Sequence, residues 1–460
     1  MKRFWIVLLS LGLVMAFSMT ALAVTPDFTG QYYARGSYIN NPSLLDQDAA
    51  AGRDSYSYYD QRVRIFFRLK IVDGLTFTTR MDALETIWGL DQGRSNEIGG
   101  TSKNKAFNEQ SVGFEQAYVT FATGIGKFDV GYKSGTPYGW GTDFMNATGT
   151  APGIKWSNTF GGLTVLADLN KASKGDSDAT TGEPNLLQSD VDNDYYDLGA
   201  TYKFKDGSAG LLLTYFRNAV ARSAGGATAA LTSAYNFQPY VKVKLGPVEL
   251  ESEAYWMKGE QEADLENLRT TANYDIDAKG LYVNGRFNMG PAYIGGIFLY
   301  ASGDNPSSPE KEGGMNKTFK YGGNTGPFAG DGFNPVILFG DDYGDYLTTE
   351  GAITGAGVID NRPDNVWMYQ IYGGYAVTKK LGLNAKFSIL RADEDPVAAG
   401  WQSKNYGSEL DLHATYKIYD NLSYNLGAAY LWTGDYFKGT NVTAEVKNNY
   451  MLTHWINLSF

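Results

Sequence analysis

The 460-residue sequence contains no cysteine. Its absence excludes disulfide frameworks, thiol nucleophiles, Cys-ligated zinc and iron–sulfur clusters. Only two histidines occur, His413 and His454, which leaves little material for a metal centre or a catalytic triad. Charged residues make up 19% of the chain, a composition that fits neither a disordered polyampholyte nor a coiled coil. Long hydrophobic runs are also missing. Past residue 23 no stretch of eighteen apolar residues exists, so no transmembrane helix can be drawn. Aromatic and small residues are plentiful instead: 33 Tyr, 24 Phe, 9 Trp and 55 Gly.

The N-terminus carries a processing signal. Lys2 and Arg3 supply the positive end, Phe4 to Met19 the apolar stretch, and Ala21-Leu22-Ala23 an A-x-A cleavage site. Residues 1–23 are therefore expected to be a cleaved secretory signal peptide, with Val24 opening a single domain over 24–460. Removing Lys2 and Arg3 from the 39 basic residues leaves 37 against 50 acidic ones, a mature charge of −13. A general nucleic-acid-binding surface is unlike this balance.

The mature sequence runs in amphipathic segments of about ten residues with period two. Leu381, Leu383, Ala385, Phe387 and Ile389 alternate with Gly382, Asn384, Lys386 and Ser388; Leu422, Tyr424, Leu426, Ala428, Tyr430 and Trp432 alternate with Ser423, Asn425, Gly427 and Ala429. Alternation alone suits a soluble β-sandwich, but the connections decide otherwise. Short links such as 72–74, 161–162, 206–207, 246–247 and 290–291 alternate with long polar ones near 40–55, 89–108, 137–152, 171–193, 219–230, 259–271, 303–362, 392–404 and 434–445. Short turns at one end and long loops at the other define a transmembrane antiparallel up-and-down β-barrel. Eighteen segments are counted: 28–39, 56–71, 75–87, 110–122, 127–136, 153–160, 163–170, 194–205, 208–218, 231–245, 248–258, 272–289, 292–302, 363–377, 381–391, 405–418, 422–433 and 446–460. Segment 153–160 has the weakest pattern, and losing it with its partner gives sixteen strands. A further pair within 335–348 would give twenty.

The A-x-A signal, the Gln116-Ala117-Tyr118-Val119-Thr120-Phe121 strand with the Val130-Gly131-Tyr132-Lys133 strand after it, and the C-terminus together resemble the Gram-negative outer-membrane porins. At the C-terminus Tyr450, Leu452, Ile456, Leu458 and Phe460 alternate to a terminal Phe, like the signal read by the barrel-assembly machinery; His454 departs from the row. The resemblance implies an integral outer-membrane location among lipid and lipopolysaccharide, a homotrimer, and a water-filled channel for passive diffusion of ions and small hydrophilic solutes, with no cofactor.

The luminal face follows from charge. Arg62, Arg64, Arg68 and Lys70 share one face of the second segment with Tyr56, Tyr58, Asp60 and Phe66. An Arg or Lys facing lipid at the midplane costs roughly 2–4 kcal/mol, so this face must meet water. A three-residue turn at Val72-Asp73-Gly74 places Arg64 opposite Asp82 and Phe66 opposite Arg80. Arg62, Arg64, Arg68 and Arg80 then form a pore-lining basic stripe. Pore-lining acids are expected at Asp82, Glu115, Glu249, Glu251 and Glu253, with Lys244 facing Glu249 and Lys242 facing Glu251 as cross-strand pairs worth roughly 0.2–1 kcal/mol each. The porin resemblance points to 137–152 as the inward constriction loop, with Tyr138, Trp140, Asp143 and Phe144 as its candidates. The sixty-residue loop 303–362, with nine acids against four bases, is its rival as lid, plug, latch or flap.

Other classes fare worse. Asp190 to Asp194 and Asp341 to Asp345 gather oxygen ligands without a complete calcium-loop pattern. His413 sits on the luminal row and His454 on the apolar row, neither beside a nucleophile elbow. No metal site, catalytic residue or enzymatic activity is therefore expected. A barrel sheathing a partner, such as a multihaem cytochrome, and a sugar-selective porin are the alternatives. Trp256, Tyr300, Trp367 and Trp432 are expected in the interfacial girdle. Mass analysis of the protein extracted from membranes should give a chain beginning at Val24; a chain retaining Met1 would refute the processing assignment.

Overall fold

The computed structural model describes residues 25–41, 44, 55–88, 112–134, 140–142, 144–145, 150–173, 192–219, 230–263, 273–308, 310–314, 335–339, 364–397 and 399–460. Residues 1–23, the expected signal peptide, lie outside them. Among the described residues nineteen strands follow the chain: β1 Thr25–Asn40, β2 Ser55–Val72, β3 Leu75–Ile87, β4 Val112–Thr123, β5 Gly126–Ser134, β6 Thr150–Phe160, β7 Leu163–Ser173, β8 Asn193–Phe204, β9 Gly207–Asn218 and β10 Ala230–Leu245. They continue as β11 Val248–Ala263, β12 Tyr274–Met289, β13 Ala292–Ala301, β14 Lys311–Glu312, β15 Val366–Ala376, β16 Leu381–Arg391, β17 Asn405–Tyr419, β18 Leu422–Thr433 and β19 Asn449–Ser459.

Strand β14 is two residues lying parallel to β12. The other eighteen pair antiparallel with their neighbours, β13 passes directly to β15, and β1 pairs with β19 to close the ring. Closure leaves no strand edge in hydrocarbon, where an unpaired amide or carbonyl costs several kcal/mol. The terminal Phe460 completes the seam. Its N–H and C=O exchange hydrogen bonds with Gly30 at 3.0 and 2.7 Å, and a Cβ on Gly30 would lie 2.5 Å from the Phe460 ring.

The dyad pattern sorts as period two requires. Leu198, Ile294, Ile371, Leu412, Leu426 and Leu452 are exposed on the outer face. Asp197, Gln370, Asp411, Asn425 and Thr453, their chain neighbours, turn into the lumen and are buried there. Segment 153–160, the weakest by pattern, lies within an eleven-residue strand paired on both sides. Gly74 takes φ +80°, and Arg64 faces Asp82 while Phe66 faces Arg80. Of the region proposed for an extra strand pair, residues 335–339 form bends, because their amides go to a side chain of the wall; residues 340–348 lie outside the described residues.

Packing inside the barrel is uneven along its axis. Buried luminal residues such as Ile39, Asp82, Lys133, Leu299, Met368, Glu409 and Met451 lie on the loop-side halves of their strands, and Asp168 and Glu253 lie near the middle of theirs. Toward the short turns, the luminal Arg68 and Lys244 remain exposed. The chain's own in-folded segments therefore fill the loop side, and the turn side forms an open vestibule. Replacing the outward, mid-strand Ile371 by Arg should lower barrel stability by roughly 2–4 kcal/mol in urea titrations of the refolded protein in bilayers; an unchanged midpoint would mean that this face does not meet lipid.

Candidate channel eyelet

The basic stripe sits on the wall made by β1 to β4, and its charges are paired on that same wall. Arg64 holds Asp82 in a two-pronged contact, Nε to Oδ1 at 2.8 Å and Nη2 to Oδ2 at 2.6 Å. Arg80 reaches Glu115 at 3.6 Å, Arg68 reaches Asp27 at 3.5 Å, and the Arg62 guanidinium lies 5.3 Å from the centre of the Tyr33 ring. Glu115 comes inward because the β3–β4 register slips between Arg80 and Met81. Arg35 adds a further two-pronged pair with Asp60 at 2.9 and 3.0 Å. The stripe is thus a ladder of ion pairs, which presents dipoles to the lumen more than bare positive charge.

Residues 140–142, 144 and 145 follow β5 in the chain and reach the wall made by β10 to β12. Trp140 packs edge-on against Tyr240 at 5.6 Å, and Phe144 stacks on Tyr255 and Tyr282 at 5.9 and 5.6 Å. Between these contacts the Thr142 amide and hydroxyl both donate to Glu253 Oε2, at 2.7 and 2.5 Å, while Gln238 donates to Oε1 at 2.6 Å. Gly141 fits this approach: its φ is +60°, and an added Cβ would lie 2.7 Å from Glu253 Oε1. Trp140 and Phe144 are both buried. Tyr138 and Asp143 lie outside the described residues.

A second polar group lines β5 to β9. Lys133, 2% exposed, contacts Asp168 at 2.6 Å and donates to Asn170 at 2.8 Å; Asn170 and Thr214 both donate to Asp197, at 3.3 and 2.6 Å. Buried charge is tolerable only when paired in this way. The remaining expected acids have wall partners. Glu249 takes Lys244 at 3.0 Å, as the turn register required, and Glu251, although opposite Lys242, accepts from Tyr282 at 2.7 Å and Asn284 at 3.1 Å.

Residues 335–339 of the long loop also lie inside the barrel, against β15 to β18, with Val336, Leu338 and Phe339 buried. The luminal Lys133, Asp168, Asp197, Gln238 and Glu409 were not singled out by sequence reasoning, although each lies on the polar row of its strand. Their pairing across strands is what singles them out. His413 stacks on Trp455 at 5.3 Å within the lumen, and the outward His454 meets the Tyr59 hydroxyl at 3.4 Å. Tyr450, Leu452, Ile456, Leu458 and Phe460 share the outer face of the closing strand and its terminus. Trp256 and Trp432 are exposed, and the rings of Trp367 and Tyr300 pack at a tilt, 4.3 Å apart, at the loop-side ends of β15 and β13.

A closed eighteen-strand barrel with polar interior, apolar exterior and in-folded loops is the architecture of an outer-membrane channel. A family model described as Gram-negative porin matches residues 10–387, and the chain belongs to that family. A comparison with curated proteins gives no match. Among solved structures it is similar to three Pseudomonas aeruginosa proteins. OccK9 (OpdG) has a TM-score of 0.54 at 12% identity, covering 95% of this chain and 98% of its own. OpdL has 0.53 at 12%, covering 94% and 99%. OpdK, solved with vanillate, has 0.51 at 13%, covering 94% and 98%. At such identities the likeness carries the fold alone. The chain is an integral outer-membrane porin, a channel for diffusion of small solutes; fold and family point to a channel and away from an enzyme.

Hydrogen bonds to a charged group contribute about 1.5–3 kcal/mol each. In Glu253→Ala the Thr142 amide should exchange its hydrogen roughly ten- to a hundredfold faster, since 1.4 kcal/mol corresponds to about tenfold. Exchange at the original rate would mean that the Trp140 and Phe144 contacts alone hold the loop.

Proposed function

We propose that solutes cross through an eyelet bounded on one side by the Arg62, Arg64, Arg68 and Arg80 stripe with its partners Asp82 and Glu115. Residues 137–152, acting as the constriction loop through Trp140 and Phe144, bound the other side. The observation that carries this reading is the Thr142–Glu253 tie, which fixes the loop to the wall across the lumen from its own strand. Glu249 and Glu251 line the same route nearer the turns.

Electrostatically, such an eyelet orients more than it excludes. Paired Arg and acid side chains align dipolar or zwitterionic solutes, and their net field is short-ranged because screening acts within about 8 Å at physiological salt. Passive diffusion of ions and small hydrophilic molecules needs nothing more than this lining. A barrel that sheathes another protein needs a free bore, and the side chains packed on the loop side argue for the open-channel reading instead.

The remaining features complete the proposal. Signal cleavage after Ala23 sends residues 24–460 to the outer membrane, and the barrel-assembly machinery reads the Tyr450, Leu452, Ile456, Leu458 and Phe460 row. The barrel then assembles as a homotrimer surrounded by lipopolysaccharide. Neutralising Arg62, Arg64, Arg68 and Arg80 together leaves Asp82, Glu115 and Asp27 without their partners. The permeability ratio, read from the reversal potential in a salt gradient, should shift toward cations by about twofold or more. An unchanged ratio would remove the stripe from the eyelet.

A further inference from the structure

Loop 303–362 contains one apolar run in a polar context, Pro335-Val336-Ile337-Leu338-Phe339, and its amides are held inside the barrel by a single carboxylate. Three consecutive amides converge on Glu409 of β17: Ile337 and Leu338 donate to Oε1 at 2.9 and 2.6 Å, and Phe339 donates to Oε2 at 3.2 Å. Successive backbone N–H groups aimed at one point form an anion-binding concavity. Here the anion is a side chain of the wall. The opposite polarity is satisfied one residue earlier, where the Pro335 carbonyl accepts from Gln370 at 2.7 Å and Lys386 at 3.1 Å. Phe339 stacks with Phe437 at 6.1 Å and packs on Tyr406 at 6.2 Å, while a Cβ on Gly427 would lie 3.8 Å from Ile337 Cδ1.

The chemistry makes Glu409 hard to replace. Three donors require a partner that only accepts, and an ionised carboxylate is the one such side chain. Glu409 is 0% exposed beneath the seated segment, and in that seated state the carboxylate needs the amides as donors and the amides need the carboxylate as acceptor. Each therefore requires the other. Glutamine supplies one oxygen, but turns an NH₂ group toward the Phe339 amide.

We propose that Glu409 is a positioning residue of the channel: by gripping the amides of residues 337–339 it fixes a second in-folded segment inside the lumen and sets how wide the passage is. This inference rests on the channel reading above and adds a second element to the eyelet, seated against β15 to β18 instead of β10 to β12. Its strand sits five positions in the ring from β11, which carries Glu253, so the two carboxylates hold their segments at separate places on the wall.

The absence of cysteine allows a direct test. Leu338→Cys is made alone and with Glu409→Ala or Glu409→Gln, in refolded protein whose gel migration remains heat-modifiable. In the Glu409 background, maleimide should label Cys at 338 far more slowly than a Val442→Cys reference at an exposed site. With Glu409→Ala the rate should rise by about tenfold or more, the factor expected for losing a charge-assisted contact. Single-channel conductance of Glu409→Ala and Glu409→Gln should exceed that of the unaltered protein by about twofold. Labelling as fast as the reference with Glu409 present would overturn the proposal. So would a freed cysteine with unchanged conductance. If Glu409→Ala does not fold, hydrogen exchange of the unaltered protein decides: slow amides at 337–339 support the latch, and loop-like exchange refutes it. Absence of conductance in every variant would count against the channel reading itself, while the labelling rates still judge the latch.

Discussion

Hydrocarbon offers no partner for a backbone amide, and this constraint orders the rest of the molecule. A strand crossing the membrane must be paired on both edges, so the sheet has to close, and the closing bond is made by the chain's two ends. Thr25–Asn40 lies beside Asn449–Ser459, and Gly30 gives up its side chain so that Phe460 can lie over it. Closure fixes register, and register assigns every side chain to lipid or to water. A slip of one residue would expose Arg62, Arg64 and Arg68 to acyl chains and turn Val63, Ile65 and Phe67 into the lumen.

Inside the ring the governing cost is that of burying charge. In-folded segments remove water from the loop side of the lumen, and each ionised group they cover needs a partner. The wall supplies three kinds. Arg64–Asp82, Arg35–Asp60 and Lys133–Asp168 are ion pairs between neighbouring or near-neighbouring strands. Glu251 is met by Tyr282 and Asn284. Glu253 and Glu409 are met by the backbone of the covering segments themselves. In that third arrangement the same contacts that make a buried carboxylate tolerable also fasten the loop, so pore width and wall charge are not independent quantities in this channel.

The barrel was legible in the sequence because its signals are local and repeated. Period-two alternation and alternating link lengths gave all eighteen ring strands to within a few residues, and the Asp73-Gly74 turn alone was enough to place Arg64 against Asp82. The interior was less legible because its contacts are remote. Thr142 and Glu253 are 111 residues apart, and Leu338 and Glu409 are 71 apart. Nothing in either stretch names the other. A weaker signal was present for the second: an apolar pentapeptide within a polar sixty-residue loop must be covered by something. Read as a strand pair, that pentapeptide would have spent its amides on backbone carbonyls, whereas in the structure they go to a carboxylate. The bulge that brings Glu115 beside Arg80 likewise has no local signal in the sequence.

The central claim is a channel that is wide on the turn side and narrowed on the loop side by two wall-anchored segments. Its most direct test is single-channel recording of the refolded mature protein in a planar bilayer, with neutral polyethylene glycols of graded size added to one side at a time. The account predicts stable, step-like conductance, and larger polymers entering from the turn side than from the loop side. Conductance of an unobstructed eighteen-strand bore, or equal polymer entry from both sides, would contradict it.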